Sequence, residues 1–73
     1  MIHHHLYPMI QRGTPVWSRG RKQQGHTTGG AKDCTLEGCG GARVGVRWPG
    51  GKLTWPCTKG MLWDEQEKTW EIA

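Results

Sequence analysis

Three cysteines are the residues of this chain whose type and spacing best suit chemistry. Cys34 and Cys39 lie close together in sequence and are followed by a Gly-Gly pair, and Cys57 opens the segment Cys-Thr-Lys-Gly. Structural zinc sites use four tetrahedral ligands, mostly thiolate and imidazole. His26 is the histidine nearest to this group in the sequence. The sequence therefore predicts one zinc ion held by Cys34, Cys39, Cys57 and His26.

Other interpretations of the cysteines stay open. Asp33 and the histidines at 3–5 are weaker candidates for the fourth ligand, because Gly60 stands where a zinc ribbon would have its fourth cysteine. The thiols can instead remain reduced, with Cys57 as a small core residue, or two of them can form a disulfide on oxidation. Because three is an odd number, a secreted disulfide scaffold is disfavoured.

Catalysis has little support in the sequence. A nucleophilic cysteine needs a base and a group that orients it, and every histidine precedes the cysteines in a segment without periodicity. Asp64, Glu65 and Glu67 are interpreted as a solvated cluster, and the glycines lack the spacing of a phosphate-binding loop. We therefore expect a binding protein and no enzyme.

A β-hairpin is predicted to position Cys57. Apolar residues alternate with polar residues and glycine on both sides of Pro49-Gly50-Gly51-Lys52, and glycine suits a two-residue hairpin loop. A Gly50-Gly51 loop places all apolar side chains of the hairpin on one face. Trp48 and Trp55 are therefore interpreted as core residues. The alternative is that they are platforms on which bases stack. The register pairs Trp48 with Leu53, Val46 with Trp55, and Val44 with Cys57.

A second hairpin is predicted from Met61–Trp63 and Thr69–Ile72, where apolar residues again alternate with polar ones. We predict a mainly β fold, with a small three- to four-stranded antiparallel sheet over residues 33–73. Residues 1–32 are rich in glycine and basic residues, and they are predicted to form a flexible basic N-terminal arm. With 73 residues and 34% hydrophobic composition, such a core is small and often depends on a metal or a partner.

The charge pattern predicts a partner. The net charge is +4, and the arm contains lysine and arginine but no acid, which favours a polyanion or an acidic protein surface. A solvated tail is the alternative. The hairpin residues Arg43, Arg47 and Lys52 are the candidate nucleic-acid contacts. The candidate partner-binding residues of the arm are Ile2, Leu6, Tyr7, Ile10, Arg12, Trp17, Arg19, Arg21 and Lys22.

The sequence has no apolar run near the roughly 20 residues that cross a bilayer, and it has no signal-peptide pattern at its start. We therefore expect a cytoplasmic monomer without membrane contact.

Two resemblances extend this interpretation. Residues 34–61, with Cys-Thr-Leu-Glu-Gly-Cys-Gly-Gly and Pro-Cys-Thr-Lys-Gly-Met, resemble a degenerate zinc ribbon or zinc knuckle. In length, basic arm and Trp-rich body, the chain resembles small phage-encoded regulators of bacterial transcription, such as those of phages that infect xanthomonads. That resemblance implies binding to host RNA polymerase, inhibition of initiation and antitermination during host takeover. The alternative is a zinc-ribbon-like RNA- or DNA-binding module.

Overall fold

A six-stranded mixed sheet forms the protein in a computed structural model that describes residues 11–35 and 37–73. The prediction of a mainly β fold is confirmed, but the sheet is larger than the three or four antiparallel strands expected. Its order is β4-β3-β2-β1-β6-β5, and all neighbours are antiparallel except the parallel pair β1 and β6. The strands are β1 (Pro15–Trp17), β2 (Gln24–Asp33), β3 (Ala42–Arg47), β4 (Leu53–Thr54), β5 (Met61–Asp64) and β6 (Thr69–Ile72).

The predicted arm contributes the middle of this sheet. β1 and β2 lie between β3 and β6, and Val16 of β1 is fully buried. The prediction of a flexible arm with a domain boundary at residue 32 is therefore wrong from residue 11 onwards, while residues 1–10 lie outside the described part. β2 escaped prediction because its inward positions include Gly25 and Thr27, which are buried but not hydrophobic.

The first hairpin forms where predicted, but its register differs by one residue. Val46 pairs with Thr54, and Arg43 bridges to Cys57. The Trp48 amide donates to the Lys52 carbonyl oxygen at 2.8 Å, so the loop is Pro49–Gly51 rather than Gly50-Gly51. Because side chains alternate along a strand, this shift moves the apolar residues after the loop to the other face.

The core lies on one face of the sheet. The second hairpin is confirmed, with Met61 opposite Ile72 and Trp63 opposite Trp70. The rings of Trp63 and Trp70 pack with centroids 4.9 Å apart and planes tilted by 51°. The buried cluster consists of Val16, Val44, Val46, Met61 and Trp70, with Trp48, Trp63 and Ile72 packed against it.

The sheet curls around this core. Its two edge strands, β4 and β5, are joined by residues 55–60, which include a 3-10 turn at Thr58–Gly60. The Cα atoms extend 30 × 25 × 21 Å, and the Cα atoms of one flat sheet, which lie close to a single plane, would be far thinner than the shortest of these dimensions. Because β2, β3 and β4 are consecutive neighbours in the sheet, their ends meet at the cysteines. Among the described residues, no helix has the length and apolarity that crossing a bilayer requires.

Candidate metal centre and basic face

The three cysteines belong to different chain segments but lie close together in the fold. Cys34 directly follows β2, Cys39 lies in the turn before β3, and Cys57 bridges to Arg43 of β3. The three Sγ atoms lie within 4.8 Å of one another, and those of Cys39 and Cys57 are 3.4 Å apart. Cys34 is buried, and no disulfide joins any two of the three cysteines. The convergence of these cysteines, expected from their spacing, is confirmed.

Backbone geometry holds the cluster in this arrangement. Gly38 and Gly40 have φ values of +77° and +64°, a region that favours glycine and lets the chain reverse around Cys39. The Cys34 amide donates to the Gly41 carbonyl oxygen at 3.0 Å. A Cβ atom at Gly41 would lie 3.4 Å from the sulfurs of both Cys39 and Cys57. Glycine therefore lets the main chain pass directly beside the cluster.

The neighbouring thiols change the acidity of Cys39. A hydrogen bond with Cys34 is the largest cause that raises the pKa of Cys39, a backbone hydrogen bond with Gly41 opposes it, and the contact with Cys57 raises it further. In the metal-free protein the protonated thiol is therefore favoured. A metal ion that binds here must displace protons.

The donor set and spacing fit a metal ion. Tetrahedral zinc with Zn–S bonds near 2.3 Å places sulfurs about 3.8 Å apart, and the sulfurs here are 3.4 Å apart in one pair and no more than 4.8 Å apart in the others. Thiolates also suit zinc and other thiophilic ions. The three cysteines can therefore hold a metal ion.

The predicted fourth ligand is elsewhere. His26 lies in β2, eight positions before Cys34, and pairs with Arg47 of β3. Because an extended chain rises about 3.3 Å per residue, the strand separates His26 from the cysteines. Asp33 adjoins Cys34, but its carboxylate is outside the group of neighbouring ligand atoms. The prediction of His26 as a zinc ligand is wrong because β2 carries it towards the opposite end of the sheet. Residues 3–5 lie outside the described part.

A second constellation occupies the sheet face opposite the core. It consists of Lys32, Arg43, Arg47 and Trp55, which we call the basic face. Lys32 pairs with Arg43 across β2 and β3, and its Nζ lies 4.5 Å from the centre of the Trp55 ring. Arg43 donates from Nη1 to the Trp55 carbonyl oxygen at 2.7 Å. The basic face therefore places one cation over an aromatic ring and a second cation against the backbone of the same tryptophan.

Glycines make room for the Trp55 ring on this face. A Cβ atom at Gly30 would lie 3.2 Å from Trp55 Cη2, and one at Gly45 would lie 3.3 Å from the same atom. The ring therefore lies against the backbone of β2 and β3, where a side chain would displace it. The interpretation of Trp55 as a core residue is wrong. Glycine inside a strand often indicates that another group lies close to the backbone. Gly45, between Val44 and Val46, was the sequence signal for the position of the Trp55 ring.

The structure separates the predicted partner-binding residues. Trp17 is half-buried, with Arg21 above its ring at 5.3 Å, and Arg21 forms ion pairs with Glu71, Glu67 and Asp64 at 3.0, 3.2 and 4.0 Å. These two residues join elements of the fold and do not belong to a separate arm. Arg12, Arg19, Lys22 and Lys52 are exposed. The remaining candidates, Ile2, Leu6, Tyr7 and Ile10, lie outside the described residues.

Comparison with known proteins found no match to a protein-family model, to a curated protein or to a solved structure.

Proposed function

We propose that this protein is a non-enzymatic module that binds single-stranded nucleic acid and contains a structural zinc centre. The observation that carries the proposal is the position of Trp55 on the sheet face opposite the core, with Lys32 over its ring and Arg43 hydrogen-bonded to its carbonyl oxygen. Surfaces that bind single strands combine aromatic rings, on which bases stack, with cations that follow the phosphates. The basic face offers both within one small area.

The cations of the basic face have no acidic partners within residues 11–35 and 37–73. The ion pairs of that part of the chain involve Arg21 and Lys68 only. Lys32, Arg43 and Arg47 therefore keep their charge for an outside anion. Each phosphate that they neutralise would release a counterion, so affinity would fall with salt.

Zinc held by Cys34, Cys39 and Cys57 would have a structural role. It would tie the end of β2 to the turn before β3 and to the segment after β4, and these strands carry the basic face. Structural zinc contributes folding free energy directly, which suits so small a core. The thiols must be reduced to bind it, so a cytoplasmic location stays part of the proposal.

Binding of a fluorescein-labelled single-stranded oligonucleotide, followed by anisotropy, tests the proposal. We expect Trp55→Ala to weaken binding by about 5- to 150-fold, because stacking on one aromatic ring contributes about 1–3 kcal/mol per base. Trp55→Phe keeps a ring and should have a much smaller effect. Leu62→Ala is a matched control, because Leu62 is 64% exposed on the edge strand β5. Absence of binding by the wild-type protein, or equal affinity for the Trp55→Ala variant, would contradict the proposal.

Docking on bacterial RNA polymerase is the second candidate, and it stays a prediction together with transcription inhibition, antitermination and the monomeric state. The observation that favours a protein partner is Leu62, an exposed apolar side chain on β5, which is an edge strand of the sheet formed by residues 11–35 and 37–73. Edges of this kind accept an added strand. A pull-down with purified polymerase and nuclease-treated protein tests it. We expect the polymerase to retain the wild-type protein and not the Leu62→Lys variant. Failure to retain the wild-type protein would refute this candidate.

A further inference from the structure

We propose that the hollow between Arg12, His26 and Arg47 is a phosphate-binding subsite for the nucleic-acid strand whose base stacks on Trp55. This inference rests on the proposed function and adds to it a second contact point for the strand.

The hollow has a size and a lining suited to an anion. Its volume is about 370 Å³, within the usual range of small-ligand sites. Two of its lining residues, Arg12 and Arg47, are cationic, so its electrostatic potential favours a negatively charged group. The lining contains no acidic residue and consists of Arg12, Gly13, His26, Thr27, Thr28 and Arg47.

Hydrogen bonds fix the two guanidinium groups at the sides of the hollow. Arg12 donates from Nε to the Thr28 carbonyl oxygen at 3.3 Å, and Arg47 donates from Nη1 to the Gly51 carbonyl oxygen at 3.1 Å. Each group has five N–H donors, so most of them stay available to a ligand. Neither arginine forms an ion pair with an acidic residue of the described chain.

The segment that carries Arg12 is itself held against β2. The Gly13 amide donates to the Thr27 carbonyl oxygen at 2.7 Å, and the Thr14 amide donates to Thr27 Oγ1 at 3.0 Å. The Thr27 hydroxyl in turn donates to the Gln11 carbonyl oxygen. Arg12 therefore projects from a fixed backbone, and arginine held in this way suits the planar, two-pronged recognition of a phosphate.

The hollow adjoins the stacking ring. Thr28, which lines the hollow, has its Oγ1 atom 2.6 Å from the position of a Cβ atom at Gly45, and Trp55 Cη2 lies 3.3 Å from that same position. The Thr28 hydroxyl and the Trp55 ring are thus neighbours above Gly45. A strand with one base on Trp55 can place a neighbouring phosphate between Arg12 and Arg47.

The salt dependence of oligonucleotide binding tests this subsite. For single strands, the slope of log K against log salt concentration changes by about 0.7 for each phosphate that the protein neutralises. We expect Arg12→Gln and Arg47→Gln each to weaken binding several-fold and to flatten the slope. Trp55→Ala should weaken binding without changing the slope. Lys68→Gln is the matched control, because Lys68 is exposed, pairs with Glu65 and lies outside the lining of the hollow.

The outcomes separate this inference from the proposed function. If Trp55→Ala weakens binding while Arg12→Gln behaves like Lys68→Gln, the subsite is refuted and the proposed function stands. If the wild-type protein binds no oligonucleotide, both are refuted. Titration with inorganic phosphate, followed by amide NMR, distinguishes a free anion: phosphate that shifts His26 and Arg47 without competing with the oligonucleotide would refute a backbone-phosphate site.

Discussion

Cys57 lies where the chain leaves β4 and turns towards β5, and its sulfur completes the group of three. Replacing it by serine removes one thiolate, and we expect Cys57→Ser to abolish binding of the zinc ion that native mass spectrometry should find in the wild-type protein. Gly60→Ala is the control from the same turn, because its added Cβ atom meets nothing within 4 Å. Equal zinc content in both variants would contradict the metal centre.

The acidity of Cys39 predicts how pH affects this centre. Hydrogen bonding with Cys34 raises the pKa of Cys39, so the folded metal-free protein favours the protonated thiol. Any stability that this hydrogen bond provides is present below the pKa of an unfolded cysteine, about 8.5, and disappears as pH rises through the folded pKa. Zinc binding has the opposite dependence because it displaces protons. We expect zinc affinity, measured by competition with a chelator, to increase from about pH 6 to pH 8; an affinity independent of pH would contradict thiolate ligation.

At the scale of single elements, Gly25 shows how closely β2 packs against the first hairpin. A Cβ atom there would lie 2.7 Å from the Arg47 carbonyl oxygen and 2.8 Å from the Trp48 ring. We expect Gly25→Ala to lower the free energy of unfolding by about 1–3 kcal/mol, the usual effect of overpacking. Urea denaturation measures it, with Gly60→Ala as the control that adds the same methyl group in open space. Equal stability of the two variants would show that β2 is not packed as described.

The positions of the hairpin strands could be predicted from the sequence more accurately than the pairing between strands. The alternation of Val44 and Val46 located β3 and its inner face, and the cysteine spacing indicated their convergence. The predicted length of the hairpin loop was wrong because Gly50 and Gly51 suit either of two loop lengths. The shorter loop was preferred because it placed every apolar residue on the inner face. What stabilises Trp55 outside is the glycine surface of β2 and β3, and this surface exists only after the two strands have paired.

The sequence of β2 explains why the remaining strands were missed. Its residues are Gln-Gly-His-Thr-Thr-Gly-Gly-Ala-Lys-Asp, which lack the hydrophobic alternation by which an isolated strand is recognised. Its strand conformation depends on partners on both sides. The same dependence explains the error over His26, since a residue in a flexible arm could reach the cysteines but a residue in the middle of the sheet cannot.

At the scale of the whole molecule, the sheet requires the N-terminal strands. A fragment of residues 33–73 lacks β1 and nearly all of β2, so β3 and β6 are each deprived of one neighbour. We expect this fragment to show no cooperative thermal transition by circular dichroism, whereas the full chain shows one. Adding a peptide of residues 1–32 should restore the transition. Cooperative unfolding of residues 33–73 alone would mean that they form an independent domain.

The parallel pair of β1 and β6 has a kinetic consequence. Val16 of β1 lies opposite Trp70 of β6, so this contact joins positions far apart in the sequence. The hairpins β3–β4 and β5–β6 can form locally, but joining their two halves of the sheet requires closure of a long loop, which slows folding. During synthesis on the ribosome, β1 therefore lacks its neighbour on one side until β6 has left the ribosome.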